Sequence, residues 1–225
     1  MTAHFNNLVM DPSSINFSPS LEIGGGGTVV FDGTTTINTG ATFNTNGGNL
    51  TLGVITSTSS TGIEKTGSGT LVISGAPQYS GNTTVTAGKL IYDVATGSPV
   101  VGVGSTLTIA AGATVEAKGA VDPFTSGTTH TIVANDGEFH AIAGTKKVAS
   151  ISGTGTTTVD SSLVTESIIQ DTLIIGAGGS VTIAASVPFA AHQAAEAVPE
   201  PGTWVLIGTA LLGWLALRRR NRGQC

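Results

Sequence analysis

Two histidines and two acids stand close enough in the chain to raise the question of a metal. His130 and His140 flank Asp136 and Glu138 in "THTIVANDGEFHA". Imidazole and carboxylate are divalent-metal ligands, and a hairpin closed at Asn135-Asp136-Gly137 would bring them to one side. The competing reading is a polar turn with solvated acids and outward-facing histidines, and it is preferred, so no metal site is assigned. Glu116, Asp160, Glu166 and Asp171 are scattered. No pair has a spacing that singles it out for glycoside chemistry, and no Asp-Gly nonapeptide repeat marks a calcium site. The serines lack a Gly-x-Ser-x-Gly elbow, and the lone Cys225 has no catalytic neighbours. "GGGG" at 24–27 lacks the Lys-Ser/Thr of a phosphate loop. The chain is therefore expected to be no enzyme, with no catalytic residue and no cofactor.

Composition sets the elements that would have to position such groups. The chain has 225 residues, 32 of them Gly, and only 10% charged residues. Short runs of Val, Ile, Leu and Thr separated by Gly favour many short strands. In "TLVIS", Leu71 and Ile73 point one way, while Val72 and Ser74 point the other. Leu107 and Ile109 share a face in the same manner, and Val115 resumes it after a turn. Similar short units with outward Thr and Ser favour a solenoid over a meander or sandwich. The aromatics Phe31, Phe43, Tyr79, Tyr92, Phe124 and Phe139 read mostly as core.

Charge is divided unevenly. Arg218, Arg219, Arg220 and Arg222 are the only arginines, and everything before them has five lysines against fourteen acids. A body near −9 argues against nucleic-acid binding, which needs basic groups on one face. The organisation expected is an irregular N-terminal segment at 1–23, a β-solenoid body at 24–185, an Ala/Pro linker at 186–197 and a distinct C-terminal segment at 198–225. The first twenty residues have no early Lys or Arg and no apolar run, so they do not read as a secretory signal peptide.

The C-terminal segment, "VPEPGTWVLIGTALLGWLALRRRNRGQC", combines Pro199-Glu200-Pro201, an uncharged helix at 203–217 and the arginine cluster. Fourteen residues from Trp204 to Leu217 would span about 21 Å as a helix, short of a ~30 Å hydrocarbon core. Arginine stems can snorkel to the headgroups, and a basic end stays cytoplasmic, which puts the body across the membrane. The prolines keep the preceding segment extended and accessible.

Two resemblances follow from these residues. Residues 62–90, "GIEKTGSGTLVISGAPQYSGNTTVTAGKL", resemble the autotransporter-associated β-strand repeat, with Pro77-Gln78 as a departure before Tyr79. The resemblance implies an all-β, right-handed parallel β-helix body, to which the reading of residues 203–217 adds a single C-terminal transmembrane-type helix. Residues 198–225 resemble the PEP-CTERM sorting signal, with Pro199, Glu200 and Pro201 as the motif and Arg218, Arg219, Arg220 and Arg222 as the membrane-flanking cluster. That implies export from a Gram-negative bacterium, transient inner-membrane anchoring, and cleavage by an exosortase-type protease. The cell surface or extracellular matrix is then the destination, with exopolysaccharide as a further partner. The function expected is a non-enzymatic surface or matrix protein. The alternative is a polysaccharide-binding or polysaccharide-cleaving β-helix.

Overall fold

The computed structural model describes residues 1–10, 20–57, 61–101 and 104–184. The compact body runs from Met1 to Ala184. It is an all-β parallel solenoid whose coils run over three faces. The first face stacks Thr2–Phe5, Thr28–Ile37, Asn49–Ser57, Thr70–Ile73, Lys89–Tyr92, Thr114–Ala117, Glu138–Ala141, Thr156–Val159 and Thr172–Ile175, in chain order. The second is an eight-stranded sheet stacking Ser20–Glu22, Ala41–Asn44, Ile63–Thr66, Thr83–Val85, Thr106–Ile109, Ile132–Asn135, Ser150–Ser152 and Ser167–Ile169. All neighbours on these two faces are parallel.

The third face is discontinuous. Leu8–Met10 pairs with the second half of Thr28–Ile37, where a register shift between Phe31 and Thr34 turns that strand from one face to the next. Gln78–Tyr79 and Val100–Val101 continue it. An excursion then carries a small antiparallel pair, Thr125–Ser126 with Thr129–His130. Thr145–Lys147, Ser162–Thr165 and Ser180–Ile183 pair in parallel beyond it.

The alternation of residues decides which side of each strand is inside. Leu71 and Ile73 are fully buried, as are Leu107, Ile109 and Val115. Register turns these positions into columns. Leu50, Leu71, Leu90, Val115, Phe139 and Thr157 lie one above another. Burying one such aliphatic side chain is worth about 1.5–3 kcal/mol, and each needs the coil above and below to be buried. The six aromatics expected in the core are all buried there. Coil length varies from 26 residues (Thr2 to Thr28) to 16 (Thr156 to Thr172). Strand register is kept between coils of different length.

Three expectations change. Residues 1–23 are not simply irregular: Thr2–Phe5, Leu8–Met10 and Ser20–Glu22 are strands. Their alternation is weak, and the ladder edge of the next coil templates them through backbone bonds that any side chain permits. Asn135-Asp136-Gly137 does not close a hairpin. Ile132–Asn135 and Glu138–Ala141 belong to different faces and pair in parallel with other coils, so the turn is a coil corner. Asn135 Oδ1 accepts the Gly137 N–H at 3.1 Å, which serves such a corner as well as a hairpin. Finally, Thr is not confined to the outside, since Thr35, Thr45, Thr83, Thr131, Thr157 and Thr165 are buried. The helix at 203–217, the linker at 186–197 and the sorting residues lie outside the described residues. Among the described residues no helix is long and apolar enough to cross a membrane.

Candidate functional site

His130 and His140 do not meet. His130 Nδ1 lies 3.0 Å from Thr125 Oγ1, on the antiparallel excursion. His140 stands on the outside of the first face, with Nε2 2.7 Å from Asp160 Oδ2 of the next coil. Asp136 Oδ1 accepts the backbone N–H and the hydroxyl of Thr154 at 2.9 and 3.1 Å. The ladder register separates the two histidines because residues 132–135 and 138–141 turn onto different faces. Among the described residues no group of three His, Cys, Asp or Glu side chains is placed to hold a metal ion. Glu116 is taken up by Lys89 Nζ at 2.6 Å on the outer surface.

The charged groups with perturbed chemistry are the inward ones. Lys65 shares the face of Ile63, so the two-residue alternation points it into the core between Phe43 and Val85. Its ammonium donates to Thr66 O at 2.8 Å, Gly67 O at 2.7 Å and Ala87 O at 3.0 Å. All three N–H donors are thereby used, at the corner between the second and first faces. Burial lowers the Lys65 pKa from 10.5 to about 8. Two glycines make room there. Gly88 has φ +68, and a Cβ on it would sit 2.4 Å from both Gly67 O and Gly69 O. Gly67 has φ +74, and its Cβ would meet Asn44 Oδ1 at 2.5 Å.

Lys146 does the same work in the excursion, donating to Gly119 O at 2.6 Å and Val121 O at 3.0 Å. Burial pushes its pKa down, and Asp122 pulls it back up. Asp122 is held up by burial against bonds from the Phe124 and Lys147 N–H groups, both 3.0 Å. It borders an open groove of about 420 Å³ with Ser98, Pro99, Thr125 and Lys147. Both Asp122 oxygens already accept backbone bonds, so this carboxyl braces the excursion. On the core side, Tyr79 O–H lies 2.8 Å from Thr83 Oγ1 and 3.0 Å from Tyr92 O–H. Burial raises the pKa of both phenols, Tyr92 to about 12.

The sequence reading missed Lys65, Lys146 and Asp122. For Lys65 a signal existed, since it has the parity of buried Ile63. Lys146 gave none, because the carbonyls it meets lie 25 and 27 residues away, and Asp122 gave only its local turn with the Phe124 N–H, since its second partner, the Lys147 N–H, lies 25 residues away.

Comparison with family models gives two matches. The passenger-associated-transport-repeat covers residues 63–91, from the second-face strand Ile63–Thr66, through a full coil, into Lys89–Tyr92. It includes Lys65, Gly67, Tyr79, Thr83 and Gly88, so the matched unit holds the ammonium-filled corner and one of the two linked tyrosines. No curated protein and no solved structure matches the chain. The second match is the PEP-CTERM protein-sorting motif at residues 197–220, which contains Pro199, Glu200, Pro201 and Arg218 to Arg220. The chain thus carries a passenger-associated-transport-repeat in a parallel β-solenoid body and a PEP-CTERM protein-sorting motif in its tail.

Proposed function

We propose that this chain is an exported, non-enzymatic passenger, a β-solenoid displayed at the cell surface or in the extracellular matrix of a Gram-negative bacterium. The observation that carries the reading is the order of parts. A repeat-bearing solenoid ends at Ala184, and the sorting motif begins at residue 197. The motif implies processing by an exosortase-type protease after transient anchoring in the inner membrane. Cleavage near Pro199-Glu200-Pro201 separates the body from the apolar segment and the arginines. Arg218, Arg219, Arg220 and Arg222 hold the C-terminus on the cytoplasmic side until then.

Display rather than turnover is supported by how the ionisable groups are used. Lys65, Lys146 and Asp122 satisfy backbone groups inside corners, and His140, Glu116 and Lys89 tie neighbouring coils on the outside. The function is then mechanical, a stiff rod presenting hydroxyl-bearing faces, with exopolysaccharide as the expected surrounding material. The second reading is polysaccharide binding in the groove beside Asp122. Among the described residues one carboxyl lines that groove, and retaining or inverting hydrolysis needs two, so binding is the form of this alternative that the groove favours.

The test is Glu200→Ala in the full-length, exported protein in a host with the processing protease. The variant should accumulate uncleaved in the inner membrane while the wild type is released. Equal release of both would sink the reading.

A further inference from the structure

Four of the body's five lysines are committed. Lys65 and Lys146 donate to backbone carbonyls, Lys89 pairs with Glu116, and Lys118 Nζ lies 3.5 Å from Asp93 Oδ2. Lys147 is the exception. Among the described residues its ammonium has no hydrogen-bond or ion-pair partner. The strand Thr145–Lys147 decides where this side chain points. Alternation turns Lys146 inward, so Thr145 and Lys147 face outward. Both line the groove of about 420 Å³ beside Asp122.

The other charges at the groove are already balanced. Asp122 and Lys146 act on each other electrostatically, the one negative and the other positive. Asp122 Oδ1 accepts the Phe124 N–H and Oδ2 the Lys147 N–H, so this carboxylate is turned to its own backbone. Among the described residues, Lys147 Nζ is left as the unopposed charge on the groove wall. Hydroxyls surround it. The side chains of Ser98, Ser126 and Thr145 are exposed on the groove and bond to no described residue. The Thr125 hydroxyl instead donates to Lys147 O at 3.1 Å, which ties the excursion to the strand bearing the ammonium. None of the described lining residues is aromatic, so a ligand here would be held by charge and hydrogen bonds rather than by ring stacking.

We infer that this groove binds an acidic saccharide, with Lys147 Nζ on its carboxylate and the Ser98, Ser126 and Thr145 hydroxyls on its ring hydroxyls. The inference rests on the reading of the groove as a polysaccharide site and adds the charge of the ligand and the residue that recognises it. One ammonium among uncommitted hydroxyls matches a ligand with one anionic group among many hydroxyls. A phosphate dianion would call for a second cation, and a neutral glycan would leave the ammonium without a counter-charge. Because the groove is open and Lys147 is exposed, added salt weakens the interaction.

The experiment titrates the full-length protein with trigalacturonate and, separately, with its methyl-esterified counterpart, read by isothermal calorimetry. The acid should bind about tenfold more tightly than the ester, and added salt should narrow the gap. Lys147→Gln should bring the acid down to the affinity of the ester. Its melting temperature should stay that of the wild type, since the substitution keeps the backbone N–H that Asp122 accepts. Lys147→Arg should keep the preference for the acid. Ser126→Trp, which fills the groove, should abolish binding of both. Equal binding of acid and ester, lost in Ser126→Trp, would overturn the preference for an acidic ligand while leaving a polysaccharide groove in place. Binding of neither by the wild type, or binding that Ser126→Trp leaves untouched, would overturn both.

Discussion

Lys65 Nζ donates to Ala87 O at 3.0 Å and thereby joins two successive coils through an ammonium inside a corner. The other two donors of the same group go to Thr66 O and Gly67 O of its own coil. Thr66 O also accepts the Thr45 N–H at 3.0 Å, so the ammonium matters most at the turn carbonyls Gly67 O and Ala87 O. Such groups are expensive to leave without partners, which explains a lysine stacked between Phe43 and Val85.

Lys65→Met keeps the stem and removes the donors. The turn carbonyls then lose the ammonium, and the loss should be about 2–3 kcal/mol in denaturant unfolding of the full-length protein. Lys89→Met, which breaks the partly exposed pair with Glu116, should cost about 1 kcal/mol or less. Equal losses would show that the corner does not depend on the ammonium.

Stability should rise with pH in one alkaline window. The unfolded chain holds the Lys65 proton up to 10.5, while the folded chain releases it near 8. Between these values the unfolded state binds more protons, so raising the pH favours folding. Lys146 is shifted in the same direction. The tyrosines act oppositely, since their folded pKa values lie above 10.0 and the unfolded chain loses those protons first. Melting temperatures measured between pH 8 and the onset of tyrosine ionisation should climb in the wild type. The climb should shrink in a Lys65→Met, Lys146→Met double variant. A flat wild-type profile would contradict the assignment.

Tyr79 and Tyr92 should behave as one unit. Tyr79→Phe leaves the Tyr92 and Thr83 hydroxyls without a shared partner and should cost about 1–3 kcal/mol. Adding Tyr92→Phe should cost less than it does alone, by a coupling of about 1 kcal/mol in a double-mutant cycle. Additive losses would rule out the hydroxyl link as a source of stability.

Gly88→Ala and Gly112→Ala separate backbone conformation from crowding. Both residues have positive φ, +68 and +79. At Gly112 no atom lies within 4 Å of the added methyl, so the cost should be about 1–2 kcal/mol from conformation alone. At Gly88 the methyl also strikes two carbonyl oxygens at 2.4 Å, and the corner must open. Thermal unfolding should rank Gly88→Ala well below Gly112→Ala, and the reverse order would refute this account of the corner.

Strand class, the inward side of most strands and the two segments matched by family models are legible in the amino-acid order alone. Those features are local: two-residue alternation at Leu71 and Ile73, glycine at the turns, and the ordered parts Pro199-Glu200-Pro201, apolar run and arginines. Tertiary structure decided what depends on register. It split His130 from His140 by turning Asn135-Asp136-Gly137 into a corner between faces, and it recruited Thr2–Phe5 as a strand by edge templating. It also placed Lys146 among carbonyls more than twenty residues distant and set Asp122 against the Lys147 N–H. The coil length, which runs from 16 to 26 residues, sets which residues become neighbours. Because coil length varies in this way, no fixed period exists in the sequence from which those neighbours could be read.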